Sequence, residues 1–332
     1  MPNPTNDLMI QSAQEYLSSG GLLNVNAMRP HAGVHVNALL RKDEWQEMDA
    51  SLQQIVRPRL VGVQDLISRG LVKRLGGLGS IISGYEQLGD MEAASVDMDG
   101  ATSTEEDKVD FAPVYIPIPV IHKGFRLNIR HLEASRRMGD SLDVTQAQTA
   151  GRKVSDAAEE LLFNGTGAPN VGGNTIYGYT NHPKRITDTA ANFGGGDFAA
   201  EGNGYKTING MIDALQAKGF YGPYGFYISR TQYTQLRARH TDGSSKSQLN
   251  AILEAMTDVE FIKPSNSLAD TNGILVQLTP DVIDVAVAQD MITLQWQAMG
   301  GMVEHFKVLT ALAPRIKYDK NDACGVVHVT GA

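Results

Sequence analysis

The chain has 332 residues, a formal net charge of −8, and 42% hydrophobic and 20% charged residues, an ordinary composition for a globular protein. Its length allows one large domain or two smaller ones, and Cys324, the single cysteine, cannot form an internal disulfide. The sequence lacks an apolar run of the roughly 18 residues that span a membrane, a signal-peptide pattern over residues 1–14 and a strong basic patch. These features favour a cytoplasmic protein without tight nucleic-acid binding.

The N-terminal region is predicted to be an arm followed by helices. Residues 1–40 are rich in Asn, Ser, Gly and Pro with short apolar bursts, which is typical of a segment ordered by neighbouring subunits. Residues 43–57 carry apolar side chains at helical spacing, with Asp43 as the N-cap and Pro58 after the last turn. A second amphipathic helix is predicted over residues 60–71.

Residues 80–130 are predicted to form a long hairpin that projects from the body. Two strand-like halves flank a polar tip, and the return half alternates apolar and polar residues over residues 125–130. Three prolines interrupt this half at odd positions, so their missing N–H groups must face away from a partner strand. They are Pro113, Pro117 and Pro119. Because a two-stranded ribbon is only marginally stable alone, we expect neighbouring copies to cover it.

The net charge is concentrated around this hairpin. Residues 76–115 contain nine acidic residues against the single base Lys108, whereas the other residues balance at 28 acidic and 28 basic ones. The acidic residues are Glu86, Asp90, Glu92, Asp97, Asp99, Glu105, Glu106, Asp107 and Asp110. Residues 105–107 lack the spacing of a calcium loop or of an acid–base pair, so we interpret them as a solvated loop tip.

The longest predicted helix covers residues 141–163. Asp143 is its expected cap, and Asn164 with Gly165 its expected end. At about 1.5 Å per residue it would be a strut of roughly 30 Å. Its apolar stripe consists of Val144, Ala147, Gly151, Val154, Ala158 and Leu161. Residues 165–205, which are rich in Gly and Asn, are predicted to be a loop.

The last part of the chain is predicted to mix helices and strands. Gly219 is the expected stop of one helix and Ser229 the cap of the next. Helices are expected at residues 208–218, 230–239 and 247–256, and strands at 224–228, 259–263, 273–278, 282–288, 292–297, 304–311, 313–318 and 325–329. Early helices and late strands indicate an α+β fold.

Each candidate chemical motif fits a structural role better than a catalytic or ligand-binding one. Residues 77–79 with Gly84 resemble part of a phosphate loop, but a helical stretch precedes them and no Gly-Lys-Ser/Thr follows, so a hinge is favoured. Cys324 lies in a strand-like segment and is interpreted as a small buried residue. The histidines show no zinc-protease spacing, although His31 and His35 lie four residues apart. We therefore predict no catalytic, cofactor-binding or metal site.

Five short stretches carry a family resemblance: residues 43–49, 115–127, 162–167, 176–179 and 219–229. They read as a first helix, a hairpin return strand, a glycine turn after the long helix, a glycine-marked strand and the entry into an α/β lobe. Together with the order of the other predicted elements, they resemble the tailed-phage capsid fold named for the phage Hong Kong 97, and within it the encapsulin-like branch. Their ordered succession over most of the chain carries this resemblance.

The resemblance implies an α+β, Hong Kong 97-type capsid fold with a division into six parts. These are an N-terminal arm (1–40), N-terminal helices (41–78), an extended hairpin loop (79–130), a peripheral domain with a spine helix and a glycine-rich loop (131–204), an axial domain (205–265), and late strands shared by both domains (266–332). In shells of this kind the hairpin loop reaches across neighbouring subunits.

The function implied is that of a major capsid protein, without enzyme activity, which self-assembles into the icosahedral shell of a virion around phage double-stranded DNA. Its expected partners are other copies in pentamers and hexamers, a portal, decoration or scaffolding proteins, and DNA through weak non-specific contact, with no membrane. An encapsulin-type compartment around cargo enzymes is the alternative, and an α+β metabolic enzyme a remote one. The 40 residues that precede the helix of Trp45 favour a phage, because encapsulins typically begin near that helix.

Overall fold

The computed structural model describes residues 48, 51, 60–89, 98, 111–128, 130, 145–166, 175–239, 246–298 and 303–332. These residues divide into two compact units. The smaller unit contains the described parts of residues 1–59, 120–156 and 289–310, and the larger unit those of residues 60–119, 157–288 and 311–332. Within these stretches we find no helix with the length and hydrophobicity that a membrane crossing requires.

The helices and strands of the described residues are numbered in chain order. The helices are α1 (Val61–Ser68), α2 (Thr145–Asn164), α3 (Asn203–Gln216), α4 (Arg230–Gln235) and α5 (Gln248–Ala255). The strands are β1 (Val72–Arg74), β2 (Ile82–Leu88), β3 (Phe111–Pro117), β4 (Val120–Asn128), β5 (Ile186–Thr189), β6 (Tyr224–Ser229), β7 (Val259–Ser265), β8 (Gly273–Gln277), β9 (Ile283–Ala298), β10 (Val303–Ile316) and β11 (Val326–Thr330).

The core of the larger unit is a five-stranded sheet with the strand order β5-β11-β8-β6-β7. β6 and β8 lie inside it and are buried along their whole length, as expected of strands whose two faces are both covered. The apolar stripe of α3 packs on this sheet and joins one core cluster with Phe226, Leu275 and Val327. β8 pairs antiparallel with β6 and β11, whereas β7 and β5 add parallel edges. This mixed sheet gives the predicted α+β class.

The smaller unit packs the first half of α2 on one face of a sheet. β9, β10 and β4 are neighbours in this order. Phe125 and Phe306 stack with ring centroids 4.9 Å apart in its core. The core also contains Met48, Ala147, Ala150, Val154 and Val308, with Ile121, Leu127 and Met291 partly buried against it. The small alanines of α2 leave room for the larger side chains of the strands.

The structure confirms several predicted elements. α2 ends at residue 164, and the predicted cap at Ser229 forms, because Ser229 accepts a hydrogen bond from the amide of Gln232. Ser247, which was predicted only as the start of a helix, also acts as a cap and accepts a hydrogen bond from the amide of Asn250. Gly219 follows α3 with φ +82°, a left-handed conformation that ends a helix at little cost for glycine. Local side-chain chemistry was therefore sufficient to place these boundaries.

Other elements differ from the prediction. β9 and β10 are single long strands, whereas the sequence indicated two strands in each. In β9 the polar pair Gln289 and Asp290 resembles a turn, and in β10 the proline Pro314 lies next to the predicted break. β5 lies within the predicted loop of residues 165–205 and pairs in parallel with β11. α1 ends at Ser68, and β1 then pairs in parallel with β9, Val72 opposite Val285. Long-range pairing decides each of these cases.

The second half of the predicted hairpin has a different partner. β4 shows the predicted alternation, but it lies beside β10 and not beside β2. Ile121, Phe125 and Leu127 point into the core under α2, which explains the alternation. The predicted arm of residues 1–40, the acidic tip apart from Met98, and the helix of residues 43–57 apart from Met48 and Ser51 lie outside the described residues.

Candidate assembly interface

The predicted hairpin is present as the pair β2–β3. Its strands align antiparallel, beginning with Ile82 opposite Pro117. Just beyond this end, the amide of Ile118 donates to the carbonyl of Ile81 at 2.8 Å. Hydrogen-bonded and non-hydrogen-bonded pairs alternate in an antiparallel ladder. The even-numbered residues of β3 therefore bond to β2, and the backbone groups of its odd-numbered residues face away.

Two prolines occupy such odd positions. Pro113 lies opposite Glu86 and Pro117 opposite Ile82, so neither removes a hydrogen bond from the ladder. This confirms the expectation from their spacing, and Pro119 follows the end of the strand. Within the described residues, β3 pairs with β2 alone, and its outer edge lacks the two N–H donors that the prolines remove.

A buried ion pair holds the inner face of the ribbon. Arg315 and Asp284 are 3% and 6% exposed, and two guanidinium nitrogens bind the two carboxylate oxygens. Arg315 also donates to Ser83 Oγ at 3.3 Å and to the carbonyl of Gly84 at 3.1 Å. Lys317 Nζ lies 2.9 Å from the same carboxylate. A charged network of this kind is costly to break, because each buried charge would lose its partner.

Tyr85 and two isoleucines also fix the inner face of the ribbon, and together with the ion pair of Arg315 and Asp284 they form its anchor. The hydroxyl of Tyr85 donates to the carbonyl of Ile316 at 3.2 Å. Burial, followed by the nearby Tyr318, raises the pKa of Tyr85 well above its usual value, so the phenol stays protonated and can donate. Ile116 and Ile118 pack over small side chains of β9 and β10. These are Ala286, Ala288, Ala311 and Ala313.

The opposite face of the ribbon is open. Strand alternation and the register place Ile82, Phe111 and Tyr115 together on it, and they are 46%, 54% and 56% exposed. Pro113 lies between the two aromatic residues on the same strand. Glu86 carries the one charge among the described residues of this face. A continuous exposed apolar face on a thin ribbon is typical of a protein–protein contact.

An aromatic cavity of about 270 Å³ lies beside the inner face of the ribbon. Its lining includes Tyr85, Tyr177, His182 and Tyr318. The rings of Tyr177 and Tyr318 meet His182 edge-on, with centroids 5.7 and 5.4 Å away. Burial, followed by two nearby cations, lowers the pKa of His182 to about 4, so its imidazole is neutral at physiological pH.

Glu159 joins α2 to α1 inside the larger unit. Its carboxylate accepts hydrogen bonds from the amides of Gly62 at 2.7 Å and Val63 at 3.3 Å. These amides begin α1, which has no side-chain cap of its own at Leu60. A Cβ at position 62 would lie 2.8 Å from Leu162, so the two helices approach closely at this glycine. Burial raises the pKa of Glu159 to about 7, although the two amides favour its charged form.

The described residues that were considered as chemical candidates lie in separate parts of the fold and do not form a common site. Gly77 has φ +98°, a left-handed conformation, in the turn between β1 and β2, and its role as a hinge stays a prediction. Cys324 is buried, and burial raises the pKa of its thiol to about 12, which leaves too little thiolate for a nucleophile. His122 is exposed on β4, whereas His328 is buried on β11. The described residues contain no group of three or more His, Cys, Asp or Glu that could hold a metal ion.

Further candidates fall in other parts of the chain. Residues 105–107, His31 and His35 lie outside the described residues. The anchor residues Arg315 and Asp284 were not predicted from the sequence, although a charged residue within an otherwise apolar run was a signal for Arg315. Such a residue is buried only when a partner balances its charge. The sequence does not indicate which of 37 acidic residues that partner is.

The chain matches a protein-family model described as "Family of unknown function (DUF6260)" over residues 34–329. The chain belongs to this family. It is similar to the type 1 encapsulin shell protein EncA of Myxococcus xanthus (strain DK1622), with 28% identity over 300 residues, 90% of this chain and 96% of that protein. It is 24% identical over 200 residues to a diheme-cytochrome-encapsulin shell fusion protein of Kuenenia stuttgartiensis, which covers 59% of this chain and 50% of that protein.

Solved structures show the same fold. The crystal structure of a virus-like particle from Pyrococcus furiosus superposes with a TM-score of 0.61 at 19% identity, covering 86% of this chain and 98% of that chain. The capsid of the Myoviridae phage XM1 superposes with a TM-score of 0.57 at 15% identity, covering 94% of this chain and 99% of that chain. The predicted Hong Kong 97-type fold is confirmed. The relatives are shell proteins and not enzymes, so the chain is a shell-forming capsid or encapsulin-like protein, and the metabolic-enzyme alternative is set aside.

Proposed function

We propose that this chain is the major capsid protein of a phage, whose copies close into an icosahedral shell around double-stranded DNA. The observation that carries the shell function is the hairpin, whose inner face is fixed by Arg315 while its outer face is left open. An apolar face on a marginally stable ribbon gains most when another copy covers it. Obligate contacts of this kind bury roughly 2,000 Å² or more, and heterologous contacts can close into fivefold and sixfold rings.

The overall charge is compatible with a shell around DNA. The chain carries a net charge of −8, and the excess acid is concentrated in one stretch. A shell wall without a strong basic patch makes only weak, non-specific contact with DNA, which suits a container that is filled and emptied. A portal and decoration or scaffolding proteins are the further partners, and the assembled virion is the location, after assembly in the host cytoplasm.

An encapsulin-type compartment is the second candidate function. It is favoured by the Myxococcus xanthus relative, because that shell protein matches over 96% of its own length. In this case the same contacts would close the shell, and the contents would be cargo enzymes in place of a genome. The two functions therefore differ in what the shell encloses and in the proteins that accompany it.

Expression of the full chain in bacteria, followed by negative-stain microscopy of the purified protein, tests the shell function. We expect closed shells, rings or capsomers. A compact monomer under every assembly condition would contradict it. The contents are then tested on particles from the native host: DNase-resistant DNA with terminase and portal genes beside this gene supports the phage proposal. Co-purified enzymes with a neighbouring cargo gene would overturn the phage proposal in favour of the compartment.

A further inference from the structure

The aromatic cavity beneath the hairpin has room for a small ligand and an opening through which one can enter. Its lining residues belong to the larger unit and range from the buried His182, Pro314 and Ile316 to the exposed Tyr177 and Pro183. Its volume is about 270 Å³. A dry cavity of roughly 150 Å³ holds benzene. The cavity can therefore accept a system of two fused rings that carries a small substituent.

Ring side chains form much of the cavity wall. Tyr85, Tyr177, Tyr318 and His182 all line it, and the two prolines of the lining add flat apolar surface. Tyr177 and Tyr318 already meet His182 edge-on, with centroids 5.7 and 5.4 Å away. Aromatic rings favour such edge-to-face and offset contacts with other aromatic rings. A planar aromatic ligand can extend this arrangement, whereas a saturated ring of the same size cannot.

His182 offers a hydrogen-bond donor to the cavity. Burial, followed by the nearby Arg185 and Lys184, lowers the pKa of His182 to about 4, so the imidazole is neutral. Its Nδ1 accepts a hydrogen bond from the amide of Lys184 at 3.3 Å, which places the one ring proton on Nε2. His182 is 3% exposed, and among the described residues no acceptor binds this proton. A buried donor without an acceptor is costly, and a ligand oxygen would remove that cost.

The charges beside this wall are mainly positive. Arg185 donates to the carbonyl of His182 at 2.8 Å and to His328 Nδ1 at 3.3 Å, and neither acceptor carries a negative charge. The ion-pair network of Arg315, which lies close to Tyr85, contains two cations and one carboxylate. Within the described residues, each of these two groups therefore leaves one positive charge in excess.

Acidic side chains nearby do not cancel this excess. Asp322 pairs with Lys184 at 2.6 Å. Asp319, next to Tyr318 in the chain, accepts a hydrogen bond from the amide of Ala323 at 2.7 Å and supplies one negative charge. Two positive charges in excess against one negative charge leave a positive potential beside the cavity. An anionic group on a ligand is therefore favoured over a cationic one.

We propose that this cavity binds a small planar aromatic carboxylate, whose ring packs against Tyr177 and Tyr318 and whose carboxylate accepts the Nε2 proton of His182. A hydrogen bond to a charged acceptor is stronger than one to a neutral acceptor, so the donor selects for the carboxylate. The cavity is formed within one chain, and the proposal does not depend on the shell function. Because β2 and β3 supply part of the wall, a bound ligand would also hold the inner face of the hairpin.

Equilibrium dialysis of the full chain against four probes tests the ligand class. The probes are indole-3-acetate, indole, tryptamine and cyclohexylacetate. We expect one indole-3-acetate to bind per chain with a Kd of about 1 mM or lower, as is usual for a ligand of roughly 13 heavy atoms. The other three probes should each bind at least about fivefold more weakly, since each lacks either the carboxylate or the aromatic ring.

Variants of two lining residues locate the site. Val114→Trp should fill the cavity and abolish binding, whereas Ile82→Trp adds the same side chain on the open face of the hairpin and should leave binding unchanged. His182→Phe keeps a ring but removes the donor, so the Kd of indole-3-acetate should rise to that of indole. His182→Gln restores a donor near the position of Nε2 and should regain part of the preference. Thermal unfolding verifies that each variant is folded.

Four results would each overturn the proposal. They are no binding of indole-3-acetate by the wild type, unchanged binding by Val114→Trp, an undiminished preference for indole-3-acetate over indole in His182→Phe, and an equal affinity for tryptamine or cyclohexylacetate. If Val114→Trp does not fold, Tyr177→Ala at the exposed part of the lining takes its place and should weaken binding at least about fivefold. Unchanged binding by that variant would also contradict the site. Failure of the wild type to form shells bears on the proposed function alone.

Discussion

The five-stranded sheet and the hairpin of the larger unit differ in how the edges and apolar faces of their strands are covered. In the sheet, β6 and β8 have neighbours on both edges and side chains buried on both faces. In the hairpin, β2 and β3 pair only with each other among the described strands, and one apolar face is open. The sheet is complete within one chain, whereas we propose that a second copy covers the hairpin. Stability should therefore depend on the sheet, and assembly on the hairpin.

The largest effect is expected from truncating the same side chain in the two regions. Phe226 is fully buried in the sheet, so Phe226→Ala should lower the free energy of unfolding by about 3–5 kcal/mol. Phe111 is 54% exposed on the hairpin, so Phe111→Ala should change it by less than about 0.5 kcal/mol but reduce shell yield. Urea unfolding and microscopy measure the two. Equal losses of stability would remove the contrast.

The second effect concerns the ion pair that fixes the hairpin. Arg315→Met leaves Asp284 buried with Lys317 alone, and we expect a loss of about 3 kcal/mol in urea unfolding. The double variant Arg315→Met/Asp284→Leu removes both buried charges and should recover much of this loss. Hydrogen exchange of β2 should accelerate in the single variant. Unchanged exchange would mean that the hairpin is held by its apolar contacts alone.

The third effect is a pH dependence of stability that comes from Glu159, which is buried where α2 meets α1. The pKa of Glu159 is raised from 4.5 to about 7, so the neutral acid stabilises the fold fully below pH 4.5, and this contribution is lost as the pH rises to about 7. The free energy of unfolding of the wild type should therefore fall by about 2–3 kcal/mol across this pH range because of Glu159, and in urea unfolding the Glu159→Gln variant should not show this part of the fall. The exposed neighbour Glu160 provides the control Glu160→Gln, which should keep the wild-type slope. Parallel slopes for all three proteins would contradict this role of Glu159.

The smallest effect on stability is expected at the edge of the hairpin. Pro113→Thr restores an N–H on the outer edge of β3, outside the ladder, and should change unfolding by less than about 1 kcal/mol. The freed edge should promote irregular association, visible in light scattering. Ala112→Thr is the control, because its N–H already faces β2. Similar scattering from both variants would show that the proline does not protect this edge.

The elements that were predicted correctly depend on neighbours in the sequence. The period of α2, the cap Ser229 and the left-handed Gly219 all act over a few residues. The spacing of Pro113 and Pro117 belongs to the same class, because alternation along one strand determines where their N–H groups would point. These local rules were sufficient for the order of elements, and that order carried the resemblance to capsid proteins.

The sequence alone determined that the chain has an α+β fold, a thin proline-marked hairpin and an uneven charge, and these features already indicated a shell protein. Only the tertiary structure decided that β4 leaves the hairpin for β10, that Arg315 finds Asp284, and that Glu159 caps α1. The physical reason is distance along the chain. Helix periods and caps are set by adjacent residues, whereas strand partners and buried ion pairs join residues far apart, and many pairings satisfy the same local pattern.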